Sequence, residues 1–454
     1  MALGSIAAAV DSILAVSANP PSVTYTSLGE DEGWKRGVEL AHFWFDRMAH
    51  DSLRPMQEKM ALFWHGHFVS SIDKVGDVER MQEQIDLYRT ESLGNIREIA
   101  ITMSTQVAML RYLDNDSNEK ETPNQNFARE LLELFLLEVG NYNEADVEAA
   151  TAAWSGHAVD RKTGEYFWRD DRPKHPWEPE YHDNSVKQFL GRTINNGGDP
   201  KLHGDETIVA VFGNGTIPPD VANVANRGRP SRVVAAEFLS RKLWIDFASQ
   251  APPPSVVGAM SDTLVASDFD ITPWVRVMLS SDEFYDNSVK TGLVRSPIDW
   301  IVSMLYRSGA RSKDVTPIWM LASMGQEPLR PPNVAGWKTN GYFVNASAME
   351  GRARVSQGFA WHAGRNYWRD DGSGYMQLRN GRVMQAELTE RTPHPDRIPT
   401  LSDAEVVDKM LALMELRISA AGREHVIAHL GRGSVWDRNQ ALFAIYLLPE
   451  LHLA

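Results

Sequence analysis

The chain has 454 residues, enough for one large core or two, and a formal net charge of −14 from 60 acidic and 46 basic residues. That balance argues against non-specific binding to nucleic acid or to an anionic membrane. The absence of cysteine excludes disulfides, thiolate metal sites, iron–sulfur clusters and cysteine nucleophiles, so any metal must be held by nitrogen and oxygen. No apolar run approaches the ~20 residues of a membrane span. The start, MALGSIAAAVDSILAV, lacks the basic opening of a secretory signal and reads as a short helix.

In chain order, residues 33–50 carry apolar residues at helical spacing. The next run opens with Pro55, suited to a first helical turn, and reaches KMALFWHGHFVSS at 59–71. On an unbroken helix His65 and His67 would sit about 200° apart. Gly66 between them is the residue most able to end the helix and let both rings converge on a metal. The other reading is two partly buried imidazoles, each bonded to a neighbouring helix. Helical patterns continue over 77–91, 94–112 and 126–139. Within the last, Glu130 and Glu133 share a face, with Asn126 one turn earlier. They suit either a carboxylate-bridged metal centre or ion pairs that orient helices.

Asn143 with Asp146 has the spacing of a helix cap, and a polar, aromatic stretch then runs from 158 to about 228. So long a connection is functional or disordered, and Trp168, Trp177 and Tyr181 favour order. Inside it, His182 and Asp183 could share an ion, or the carboxylate could orient the imidazole as a base. Alternatively Asp183 caps a turn while His182 packs on Trp177. His175 and His203 are less specific, and His157, at a helix end, suits the C-terminal dipole. Helices resume at Ser231, near 253–267, near 271–284 and at Ser296–Pro297. The segment RPPNVAGWKTNGYFVNA (330–346) reads as a rigid turn with an aromatic face at Trp337. Asn333 there could satisfy the loop or contact a polar ligand, and Trp337 could stack on a sugar. Alternation suggests strands at 164–170 and 341–346, and Ser402 with Glu405 forms a capping box. The fold class is mainly α: a multi-helix domain with a long irregular, aromatic-rich insertion and a few short strands. In chain order it divides into 1–157, 158–228 and 229–454, read as parts of one integrated domain.

The collinear set KMALFWHGHFV (59–69), NFARELLELFLLEVGNYNEADVEAATAAWSG (126–156), HDNSVKQFLGRT (182–193), AAEFLSRKLW (235–244), VRVMLSSDEF (275–284), VRSPIDWIVSML (294–305) and RPPNVAGWKTN (330–340) resembles the bacterial family called domain of unknown function 1800. The resemblance implies a mostly helical fold but no established activity. Family members are often exported and encoded beside a sulfatase-like protein of the domain of unknown function 1501 type, which makes that protein an expected partner. The family often has His where this chain has Phe135 and Trp where it has His157. Its usual first helix has no counterpart here. As it stands the chain reads as cytoplasmic, and as exported if a leader precedes it.

There is no phosphate loop, dinucleotide fingerprint, nucleophile elbow or His-Glu-x-x-His helix, so no nucleotide cofactor is expected. The leading expectation is a metal-dependent enzyme, hydrolytic or oxidative, with one divalent ion on His65, His67 and His182. Glu130, Glu133 and Asp183 would be its catalytic carboxylates, and Trp177, Asn333 and Trp337 its ligand contacts. The alternative is a non-catalytic glycan-binding or structural partner protein.

Overall fold

The computed structural model describes residues 5–26, 32–52, 54–172, 180–194, 198–308, 310–315, 318–365, 402–430 and 435–453. The protein is mainly helical, with two small two-stranded sheets among the described residues. It divides into two compact units, each discontinuous in sequence. The first comprises Met1–Gly37, Arg54–Asp286 and Leu329–Trp337; the second comprises Val38–Leu53, Asn287–Pro328 and Lys338–Ala454. Among the described residues no helix is long and apolar enough to cross a membrane.

Local chemistry accounts for the helix boundaries of the first unit. Helix α1 (Pro55–His67) starts on its proline, and α2 (Val78–Thr90) on Asp77, whose carboxylate accepts from the Arg80 amide. The expected helix over 94–112 is two, α3 (Ile96–Thr105) and α4 (Val107–Tyr112), broken at Gln106. Helix α5 (Asn126–Glu130) widens into a π-helical turn, Leu131–Leu136, and α6 (Glu144–Ala153) opens on a reciprocal capping box between Asn143 and Asp146.

The core is aromatic. Trp64 stacks on Phe68 and Trp274 and donates its indole N–H to the Ser92 carbonyl. Beside it Arg89 pairs with Glu58 at 2.9 Å, both fully buried, and Tyr88 donates to the Phe68 carbonyl. A buried pair of this kind gains little over an apolar core, but losing one partner strands the other charge.

The stretch 158–228 is more regular than its composition suggests. Strands β1 (His157–Val159) and β2 (Tyr166–Trp168) pair antiparallel, with His157 opposite Trp168. Strands β3 (Lys187–Phe189) and β4 (Arg192–Ile194) form a second hairpin. Its two turn residues, Leu190 and Gly191, both have positive φ (48° and 70°), as a type I′ turn requires. The leucine is held in that conformation by a bond from its amide to Asp146 (2.8 Å) and one to its carbonyl from Thr216 (2.9 Å). The stretch also contains a ten-residue helix, α7 (His203–Phe212), inside what its composition marks as irregular. It is followed by α8 (Ser231–Phe247), α9 (Pro254–Ala266) and α10 (Ile271–Ser280).

In the second unit, α11 (Pro297–Ser308), α12 (Ala346–Arg365), α13 (Asp403–Leu413), α14 (Ala420–Leu430), α15 (Val435–Tyr446) and a closing turn at Pro449–His452 follow one another. The Ser402–Glu405 capping box forms as the spacing predicts. The strand expected at 341–346 does not: Asn340–Phe343 is a 3-10 turn that buries only Phe343. A short aromatic run beside Gly341 offers too few inward side chains to hold a strand.

Candidate functional site

Helix α1 runs through Gly66 and ends at His67, so the glycine does not turn the two imidazoles toward each other. They leave the helix on different sides. His65, fully buried, meets the edge of Trp337 with ring centroids 5.3 Å apart. His67 points to the π-turn, donating Nε2–H to the Phe135 carbonyl at 2.9 Å amid Phe63, Phe68, Phe135 and Phe238. That carbonyl lies in the last turn, past the final helical bond from Leu137 N–H to Leu132 O, so no backbone N–H reaches it. Lys242 donates to the adjacent Leu134 carbonyl at 3.1 Å, and burial pulls its ammonium down to about 8. His67 is thereby committed to closing a helix defect, and burial drives its pKa well down.

The clearance at this contact comes from Gly336, which packs against Gly66. A Cβ at Gly336, whose φ is +82°, would collide with the Gly66 carbonyl, and the Trp337 ring lies against Gly66 itself. The loop is pinned further by Arg330 to Asp73 (2.9 Å) and by the Ile72 amide to the Leu329 carbonyl. Asn333 is exposed and accepts from the Ala335 amide (3.0 Å), a side-chain-capped turn.

Glu130 and Glu133 face each other, Arg129 and Tyr142, whose hydroxyl donates to Glu133 at 2.8 Å. Burial and then the charge of Glu133 raise the Glu130 carboxyl. Asp183 accepts from the Ser185 amide, and bonds to Ser185 with the nearby Lys187 ammonium hold its carboxyl below the usual range despite partial burial. Trp177 and His175 lie outside the described residues. Among the described residues no three His, Asp or Glu side chains come together as a metal-holding group.

The polar cluster that does assemble is centred on His182. The turn Trp154–Ser155–Gly156–His157 leaves α6 and enters β1, with Gly156 at φ +89° where a Cβ would press on His182 and Trp168. His182 Nδ1 lies 2.8 Å from the Ser155 carbonyl, and its Nε2 lies 2.7 Å from His203 Nδ1. A carbonyl only accepts, so the His182 proton sits on Nδ1 and Nε2 is an acceptor. His203 must then donate from Nδ1, which leaves its Nε2 a bare lone pair. That atom is buried and has no hydrogen-bond partner.

His157 has the same outline: Nδ1 is 3.1 Å from the Tyr166 hydroxyl and Nε2 is buried without a partner. Trp154 packs on His157 and donates to Thr207, while Trp168 packs on both His157 and His182. Burial keeps all three rings neutral. His157 is pushed down to about 3, His182 to about 4, aided by Lys187 and His203, and His203 is also lowered.

An open groove of about 390 Å³ adjoins the cluster, lined by Trp168, Asp170, Arg172, Glu180, Asn184 and Pro200. Two of these tie it to the histidines. Trp168 touches the rings, and the Asp170 carboxylate accepts from the amides of Tyr181 (3.1 Å) and His182 (2.9 Å). His182 was legible as a candidate in the sequence, whereas the parts of His157 and His203 were not. A usable signal was present in HGDETIVAVF, a helical pattern with Asp205 and Glu206 in its first turn.

The model of the family described as "Protein of unknown function (DUF1800)" matches residues 8–451, and the chain belongs to that family. Comparison with curated proteins and with solved structures gives no match.

Proposed function

We propose that this member of the DUF1800 family is a metal-dependent hydrolytic enzyme whose centre is the His157–His182–His203 cluster. The observation that supports this reading is the directed chain from the Ser155 carbonyl through His182 to His203, ending on a buried, unpartnered Nε2. An unsatisfied buried acceptor costs about 1–3 kcal/mol, a penalty that a bound divalent ion removes. Imidazoles that ligate a metal characteristically donate their other N–H to a fixed acceptor, as His203 does to His182 and as His157 can to Tyr166. In this reading His203 and His157 offer nitrogen ligands through their unpartnered Nε2 atoms, and His182 is a positioning residue. Solvent or substrate would complete the set, since no third His, Asp or Glu joins them among the described residues. Such an ion lowers the pKa of water, and Asp170 or Glu180 in the adjoining groove would take up the proton.

A second reading is favoured by the groove itself. An indole edge beside two carboxylates, a guanidinium and an amide suits a hydroxyl-rich ligand, which makes glycan binding the second reading.

The test is a hydrolysis screen over glycosides, esters and phosphoesters with and without chelator, comparing wild type with His203→Gln and Arg172→Ala. The enzyme reading expects chelator-sensitive turnover that His203→Gln abolishes at unchanged melting temperature. Glycan binding that Arg172→Ala weakens, with no turnover, selects the second reading. Turnover indifferent to His203→Gln and to chelator contradicts the first.

A further inference from the structure

The second unit contains a buried guanidinium with no counter-charge among the described residues. Arg352, on α12, is fully buried. Its Nη1 donates to His452 Nδ1 (3.1 Å) and its Nη2 to the Arg295 carbonyl (2.7 Å), while its Nε has no partner. No carboxylate among the described residues pairs with it, and the charged group that acts on it is another cation, Arg295. Burial and Arg295 pull its pKa down to about 10, which leaves it protonated at neutral pH. A lysine or histidine in this position could shed its proton; an arginine cannot. An unpaired buried charge costs several kcal/mol, so a compensating negative group is required.

The neighbours extend the same pattern. The Trp300 and His452 rings are stacked 5.6 Å apart, and the Arg352 guanidinium lies over Trp300 at 5.2 Å. Arg352 is a pure donor, so His452 accepts at Nδ1, and the neutral ring carries its proton on Nε2. The Leu447 carbonyl favours the protonated ring, yet Nε2 makes no hydrogen bond. The buried Trp300 Nε1–H is likewise unpartnered. Two N–H donors of one cationic stack, Arg352 Nε–H and Trp300 Nε1–H, therefore lack any acceptor. The remaining charges nearby are Arg295, which feels Asp299 and Arg307, and Arg307, which feels Glu415; Asp299 is bonded to the Ser296 hydroxyl. Arg295 and Arg307 spend donors on Ser303 and on the carbonyls of Leu451, Met414 and Glu415.

We infer that the Trp300–Arg352–His452 stack is a binding site for a small inorganic anion, taken up as the second unit folds. The ligand proposed is no larger than chloride or a simple oxyanion because all three side chains are buried. The test uses the full chain in sodium gluconate, titrated with sodium chloride, sulfate or phosphate at fixed ionic strength while thermal unfolding is followed. At least one of these anions should raise the melting temperature saturably, and the three arms identify which. Trp300→Phe keeps the ring but removes one N–H, and should raise the half-saturating concentration about tenfold or more. Arg352→Gln should abolish the saturable rise. Melting temperatures indifferent to all three anions would overturn the inference. So would a rise that Trp300→Phe leaves unchanged, an outcome readable even if Arg352→Gln fails to fold.

Discussion

At the scale of the residue, the clearest feature is a set of histidines that burial keeps uncharged. Their folded pKa values, about 4 for His182 and about 3 for His157, lie below the ordinary 6.5. The unfolded chain therefore binds these protons first. Stability is full above pH 6.5 and is lost as the pH falls toward those lower values, at about 1.4 kcal/mol per pH unit for each ring. Replacing His157 with Phe should flatten the fall of melting temperature between about pH 6 and pH 4. A slope identical to that of the wild type would contradict a neutral, buried imidazole at this position. His182 was legible because an adjacent His–Asp pair in a loop invites a chemical reading. His203 was not, because its partner lies 21 residues away across a hairpin. His157 was assigned to a helix dipole, yet its ring enters a sheet and packs between two indoles.

At the scale of the element, capping chemistry was the most readable signal. Pro55, the Asn143–Asp146 box and the Ser402–Glu405 box mark helix starts where the structure has them. Gly66 misled for a physical reason. One glycine costs a helix only about 1 kcal/mol, less than the packing of Trp64 and Phe68 on either side recovers. The π-turn at Leu131–Leu136 was invisible in the sequence, since it depends on His67 and Lys242 arriving from other helices to bond its spare carbonyls. His67→Ala should therefore lower stability by about 2–4 kcal/mol, combining a cavity with an unsatisfied carbonyl. Urea denaturation measures this directly. A loss below about 0.5 kcal/mol would show that the turn does not need its imidazole.

At the scale of the whole molecule, the mainly helical class and the family were both legible, because long amphipathic runs and collinear motifs survive without knowledge of contacts. The candidate centre was only half legible. The sequence reading joined His182 to His65 and His67, while the fold sets His182 beside His203 and His157, 21 and 25 residues away in the chain. The candidate centre lies in the first unit and the cationic stack in the second, so each can be tested without disturbing the other's residues.

Elemental analysis of untagged protein decides whether the histidine cluster holds a metal. Wild type, His203→Gln, His157→Phe and a His65→Ala/His67→Ala double variant would be compared after confirmation of fold. Near-stoichiometric divalent metal is expected in the wild type and the double variant, with loss in His203→Gln and reduction in His157→Phe. Metal that stays in His203→Gln and disappears from the double variant, or no metal in the wild type after incubation with zinc, manganese and iron salts, would contradict a metal held by the cluster.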